Sequence, residues 1–212
     1  MTDIALFPIP DCVTFPGCIF PLHVFEPRYR SMVAQCTREA LPMGICHTMG
    51  VLRAGKNGQS VEEALKSNQS TYKPYRIFSA GPCELMDTLD DGRLLIQVHL
   101  EARYEVVEVL QSLPFVIASC REYCDEPLNS SESEVLLQLK EKVLRRLLAL
   151  TSRQRSVYDT LQSTEWQDAD PLAFSLQVFG LVQFDADVQQ GLLESRSPVA
   201  RLESVLLALN AM

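Results

Sequence analysis

Four stretches of this 212-residue chain carry side chains whose types and spacing could do chemistry. The first, Gly50-Val51-Leu52-Arg53-Ala54-Gly55-Lys56-Asn57, approaches the phosphate-cradling pattern G-x-x-x-x-G-K-[S/T]. The last position of that pattern supplies a hydroxyl to Mg²⁺, and Asn57 has none. No strongly helical segment follows to aim a helix dipole at a phosphate, so the match is read as accidental and the stretch as a polar loop. The second is a set of candidate metal ligands, Cys120-x-x-x-Cys124 with His99, and Cys46-His47. None has the paired C-x-x-C or H-E-x-x-H spacing that closes a zinc site. Cys120 and Cys124 on a strand would face the same side about 13 Å apart, too far to share one ion. The third is His23 near Cys18, the best placed histidine for activating a nucleophile. Its neighbours Leu22 and Val24 are core-like, so a histidine hydrogen-bonded beside the core is expected. The fourth is Glu26, Arg28 and Arg30. Two readings stand side by side: an ion pair bracing a helix entry, and a corner that contacts polypeptide ligands together with Phe25.

Those residues depend on the elements around them. Leu6 to Val33 reads LFPIPDCVTFPGCIFPLHVFEPRYRSMV and holds Pro8, Pro10, Pro16, Pro21 and Pro27 among large apolar residues. No helix runs through so many prolines, since each removes a backbone donor and clashes with the preceding turn. Short strands are predicted at Leu6–Ile9 and Cys18–Phe25, with Pro16-Gly17 turning between them. Pro27 suits the first turn of a helix, and Tyr29, Met32, Val33 and Cys36 fall at i, i+3, i+4 and i+7. Phe15, Phe20 and Phe25 are core by default, unless one lies on an exposed binding patch.

Further on, a strand is expected over Met43–Met49, then a long polar loop from Gly50 to Thr71 with a helical turn near Val61–Lys66. Extended segments are expected at Tyr72–Leu85, Leu94–Leu100, Ala102–Leu110 and Pro114–Tyr123. Asp90-Asp91-Gly92 marks a hairpin, and Leu94, Ile96, Val98 and Leu100 share one face. Beyond about residue 128 the pattern becomes helical. Ser131-x-x-Glu134 reads as a capping box, followed by a stripe of Val135, Leu136, Leu139, Val143, Leu144, Leu147 and Leu148. Asp170-Pro171, Asp185 and Ser197-Pro198 open three later helices. The order is β, then α: an α+β chain of two lobes, 1–128 and 129–212.

The opening block resembles the N-terminal, substrate-binding domain of ATP-dependent Lon proteases. The likeness rests on the L-F-P-x-P start, the F-P-G turn, the P-L-H-V-F strand and the F-E-P-R-Y helix entry. It continues through Met43-Gly44-Ile45, Ala80-Gly81, Asp91-Gly92-Arg93 and Ala102-Arg103-Tyr104. It reaches Gln190, Leu192-Leu193 and Arg201-Leu202, and is weakest over 50–72. The resemblance implies a PUA-like twisted β pseudobarrel holding one helix, then a small helical bundle. It also implies a non-catalytic module that binds unfolded or exposed polypeptide segments, as an adaptor or quality-control factor, with a protease or chaperone among its partners. No region resembles the ATPase or protease domain of those enzymes, and the chain reads as the recognition module standing alone.

Composition narrows the alternatives. The net charge is −8, and the expected lobes carry −5 and −3, so neither offers the basic field that phosphate backbones need. This opposes the rival reading as a PUA-like RNA binder; the other rival, a small hydrolase, lacks a recognisable catalytic constellation. Seven cysteines, an odd number without framework spacing, point to reduced thiols in the cytoplasm. No basic leader opens the chain, and no apolar run is long enough to span a bilayer. Neither cofactor nor metal is expected. The purified protein is therefore expected neither to hydrolyse ATP nor to cleave casein; turnover that co-purifies with it and disappears in Lys56→Ala would overturn this reading.

Overall fold

The computed structural model describes residues 1–54 and 67–211. The expected helical turn at 61–66, and Gly55 to Asn57 of the phosphate-loop match, lie outside the described residues. Contacts group the chain into two units, Met1–Tyr123 with Phe184–Leu193, and Cys124–Gln183 with Glu194–Met212. The sequence suggested one cut near 128; the contact grouping instead returns 184–193 to the β unit. Hydrogen bonds explain this return: Gln190 Nε2 donates to the Ile77 carbonyl at 3.0 Å, and an Arg103 guanidinium nitrogen to the Leu193 carbonyl at 2.7 Å.

The β unit runs β1 (Thr2–Pro8), β2 (Ile19–Val24), α1 (Pro27–Glu39), β3 (Met43–Cys46), β4 (Thr48–Arg53), β5 (Thr71–Pro74), β6 (Ile77–Gly81), β7 (Cys83–Thr88), β8 (Leu94–His99), β9 (Ala102–Gln111) and β10 (Val116–Glu122). Strands β1-β10-β9-β6-β3 form a closed barrel, sealed by the parallel pairing of β1 with β3. A second sheet has the order β2-β8-β7, and β4 and β5 form a separate hairpin. The Pro16-Gly17 and Asp91-Gly92 turns form where expected, with φ of +87° at Gly17 and +81° at Gly92, a region that glycine enters without Cβ strain.

β1 is buried on both faces. Ile4 and Leu6 join Phe78, Ala80, Ala118 and Cys120 in one apolar cluster. Ala5 and Phe7 join a second cluster with Val24, Met32, Ile96 and Val98. An uninterrupted Ile-Ala-Leu-Phe run is what such a strand requires, since alternate side chains enter opposite cores. The helical stripe of α1 supplies Tyr29, Met32, Val33 and Cys36 to the second cluster, as its spacing predicted.

Three expectations about strands need correction, the first being Tyr72–Leu85, which is divided among β5, β6 and β7. The run Met43–Met49 is two strands interrupted at His47, and Gly50 to Arg53 belongs to β4 instead of to a loop. Polar and glycine content masked the strand because nearly every side chain of β4 is exposed, which removes the alternating apolar signal.

The second unit contains α2 (Ser130–Leu150), α3 (Arg155–Gln162), α4 (Thr164–Gln167) and α5 (Pro171–Gln177), the last continuing into a 3₁₀ turn over Val178–Gly180. The helix α6 (Ala186–Glu194) follows in sequence and belongs to the β unit as far as Leu193, and α7 (Pro198–Asn210) returns to the second unit. The capping box of α2 is Asn129 with Glu132, not Ser131 with Glu134. The Asn129 side chain accepts the Glu132 amide at 2.9 Å, and the Glu132 carboxylate accepts the Asn129 amide at 2.9 Å. Asn caps as well as Ser, so two overlapping boxes competed in the sequence and the earlier one begins the helix. Asp170 and Ser197 cap α5 and α7 as expected. Val135, assigned to the buried stripe, is 39% exposed, while Leu136, Leu139, Val143, Leu144 and Leu147 are buried. Helices α3 and α4 were not anticipated; their sequence is largely polar, and of their residues only Leu161 is buried. Within this unit Arg201 is wholly buried and donates to both Asp125 carboxylate oxygens, at 3.0 and 2.6 Å, and to Ser175 Oγ at 2.8 Å.

Two glycines provide a paired stability test. A methyl on Gly81 would collide with the backbone carbonyl of His99, whereas Gly191, inside α6, meets open space. Gly81→Ala is expected to destabilise the protein by about 3 kcal/mol, because backbone cannot give way as a flexible side chain can. Gly191→Ala should be neutral or stabilise by about 0.5–1 kcal/mol, the ordinary glycine penalty in a helix. Urea unfolding of the two variants checks both signs.

Candidate functional site

The proline-rich block and the start of α1 enclose a groove of about 290 Å³. Its walls are largely apolar. Phe7 and Tyr29 stack at 4.2 Å between ring centroids, Pro8 and Leu22 lie beside them, and Phe25 lines the groove while 38% exposed. Proline holds φ near −65°, so this wall loses little freedom when a ligand meets it.

Glu26 and Arg28 also line the groove, yet both are nearly buried and committed to each other. Glu26 Oε2 lies 2.9 Å from an Arg28 guanidinium nitrogen and accepts the Gln69 amide at 2.9 Å. Arg28 also donates to Thr71 Oγ1 at 2.9 Å and to the Ser70 carbonyl at 2.6 Å. Its guanidinium carbon lies 4.5 Å from the Tyr29 ring centre. The Arg28 amide, one of the open donors of the first helical turn, is capped by Asn68 Oδ1 at 3.2 Å. The segment 68–71 is thus laced by hydrogen bonds onto the Glu26–Arg28 pair at the entry of α1. Glu26 occupies the N-cap position of α1, but its side chain makes no cap hydrogen bond to the helix.

Of the four residues proposed from sequence, the groove brings together Phe25, Glu26 and Arg28. Arg30 is not among its lining residues; it donates instead to the Gly92 carbonyl at 3.2 Å, in the β7–β8 turn. Sequence reasoning missed Asn68, Gln69, Ser70 and Thr71, which lie about 40 residues from their partners. No local pattern announces such a pairing. It also missed the stacked Phe7–Tyr29 pair as a groove wall, although the helical spacing of Tyr29 was read correctly.

The histidines and thiols take other roles. His23, expected beside the core, is exposed: β2 alternates outward at Ile19, Pro21 and His23. It lines the same groove. His47 is buried, stacked on Tyr75 at 5.1 Å, with Nε2 3.6 Å from Asp187 Oδ1. His99 Nε2 lies 3.2 Å from Glu84 Oε2. Among the described residues no group of three or more His, Cys, Asp or Glu is arranged to hold a metal ion. Cys120 is buried in β10, but β10 ends at Glu122 and Cys124 lies beyond it, exposed, so the two do not share one strand as expected. Burial pushes the Cys12 and Cys83 thiols up to about 11 and those of Cys36 and Cys120 to about 12. These four are thiols at neutral pH and poor nucleophiles.

Over residues 3–211 the sequence matches the family described as the ATP-dependent protease La (LON) substrate-binding domain. No curated protein matches the chain. Among solved structures, the N-terminal domain of Mycobacterium avium complex Lon protease superposes with a TM-score of 0.69, covering 99% of this chain and 98% of its own, at 12% identity. A Lon N-terminal domain protein from Xanthomonas campestris superposes with a TM-score of 0.57, covering 98% of each chain, at 20% identity. At such identities the likeness is one of fold: a twisted β pseudobarrel with one helix, joined to a helical part.

The geometry separates the two arginines. Arg28→Ala leaves Glu26 nearly buried without its cation and releases 68–71, and is expected to cost about 2–3 kcal/mol. Arg30→Ala removes a partly buried bond to the Gly92 carbonyl but strips no cation from Glu26, and should cost less than Arg28→Ala. Equal losses in chemical denaturation would refute the bracing role of Arg28.

Proposed function

The chain belongs to the Lon substrate-binding domain family, and from that membership we propose that it binds unfolded or extended polypeptide segments, without nucleotide, through the groove beside the proline-rich block. The observation that carries this reading is the groove itself: rigid apolar walls with a partly exposed Phe25 at their edge, and a charge pair already neutralised inside. Such a site rewards apolar side chains and discriminates little by charge. Phe25 contacts the ligand, Glu26 and Arg28 shape the floor, and Arg30 contributes from the adjoining corner. The prolines hold the wall, so little conformational entropy is lost on binding.

A role as adaptor or quality-control factor, passing segments to a protease or chaperone, follows from binding of this kind. A reducing, cytoplasmic setting suits seven cysteines that are all free. Among the described residues no helix is long and apolar enough to cross a membrane.

The test is a titration of the protein with a reduced, permanently unfolded model protein and with its folded form. The unfolded form should bind with a Kd on the order of micromolar, as expected of a small transient interface, and the folded form far more weakly. Phe25→Asp should weaken binding about tenfold without lowering the unfolding midpoint, because the side chain is partly exposed already. Single-stranded RNA and ATP in parallel titrations serve the rival readings. Equal binding of folded and unfolded ligand, or tighter binding of RNA, would remove the recognition reading; binding that Phe25→Asp leaves intact would move the site elsewhere.

A further inference from the structure

The second unit carries a feature unrelated to that groove. Between Lys142 and Tyr158 the sequence contains five cations, Lys142, Arg145, Arg146, Arg153 and Arg155, and no carboxylate, in a chain whose net charge is −8. Three of the five line one pocket of about 340 Å³ between α2 and α7. Its apolar part is Ala149 and Leu206, and Asn210 completes it.

Ordinary structural roles absorb Arg155, which lies 3.9 Å from Asp159 Oδ2, and Arg146, but not Lys142 and Arg145. Arg146 donates its Nε to the Leu209 carbonyl at 3.1 Å, which ties α2 to the end of α7. Lys142 and Arg145 are exposed and have no ion-pair partner among the described residues. Nor do they serve the helix dipole, which is felt within the last turn; the last turn of α2 holds no basic residue. Two unpaired cations therefore flank a pocket with an apolar floor, and Leu207, 75% exposed, lies on the same helix as Leu206.

We propose that this pocket is a docking site for an acidic polypeptide segment that alternates carboxylates with aliphatic side chains. Carboxylates pair with Lys142 and Arg145 at the rim, and an aliphatic side chain enters against Ala149 and Leu206. Charge complementarity selects the partner's sign, and the apolar floor selects polypeptide over nucleic acid. No aromatic ring lines the pocket to stack a base. The site is independent of the groove in the β unit, and its ligand has the opposite preference: the groove takes apolar segments of any charge, this pocket only acidic ones.

The probe is a short synthetic peptide of alternating leucine with aspartate or glutamate, and a comparator with every carboxylate replaced by its amide. Fluorescence anisotropy at low salt is read for wild type, for Lys142→Glu/Arg145→Glu, and for a control, Arg38→Glu/Lys73→Glu, that makes the same net charge change on the β unit. The acidic peptide should bind wild type and the control alike. The Lys142→Glu/Arg145→Glu variant should lose about tenfold or more, the scale of two exposed charge pairs reversed. Raised salt should weaken the interaction. Backbone amide shifts in wild type should move at 142–149 and 206–210, which locates the site without relying on any variant. The proposal falls if the amide peptide binds equally well, if the control loses as much as the pocket variant, or if the amide shifts map elsewhere. Tighter binding of a single-stranded oligonucleotide, competition by inorganic phosphate at matching concentration, or self-association removed by the pocket variant would each name a different occupant and overturn it.

Discussion

The β unit depends on the two-sided burial of β1. One face of that strand, Ile4 and Leu6, closes the barrel interior; the other, Ala5 and Phe7, meets the cluster shared with α1 and the second sheet. A strand with two cores cannot shift its register by one residue without exchanging both sets of side chains, so its register is strongly set. Parallel pairing with β3 and antiparallel pairing with β10 then follow from where that strand lies. The same constraint reaches the groove. Phe7 is the last core residue of β1, and its ring stacks on Tyr29 of α1, so the groove wall is an extension of the core that fixes the strand.

How far this was legible in the sequence depends on how local each signal is. The prolines excluded a helix, and the spacing of Tyr29, Met32, Val33 and Cys36 placed α1 and its buried face. The alternation of Ile96, Val98 and Leu100 placed β8. Each of these rests on residues within about two turns of one another. The pseudobarrel came from the family resemblance, but its closure by β1 and β3 was not foreseen, since no spacing rule pairs Ala5 with Met43. β4 was lost because both of its faces meet solvent, and α3 and α4 because they bury almost nothing.

The candidate site was legible in the same proportion. Phe25, Glu26 and Arg28 stand together in sequence and stand together at the groove. Yet the reason Glu26 and Arg28 matter lies in Asn68 to Thr71, which no periodicity connects to them. From sequence Arg28 could be read equally as half of a bracing ion pair or as a cation offered to a ligand; with those partners it is the tie that braces α1. Arg30 was grouped with it by proximity in sequence, but two positions along a helix turn a side chain by about 200°, toward a different neighbour.

This division of labour has a consequence for binding. A cation spent on Glu26, the Ser70 carbonyl and Thr71 Oγ1 contributes rigidity, not long-range attraction, and its pair with Glu26 is nearly neutral outside the groove. On the proposed reading the groove attracts through apolar area, which is non-directional and indifferent to residue order along the ligand. Affinity built that way stays modest, because a groove of this size buries only a few side chains while the ligand loses its own chain freedom. The proposed binding of unfolded segments gains from that balance: weak, order-independent contacts release as readily as they form. The unpaired cations of α2 obey the opposite logic. Charge acts over about a Debye length before any contact is made, so a basic pocket discriminates among partners by sign at the encounter stage, before shape is tested.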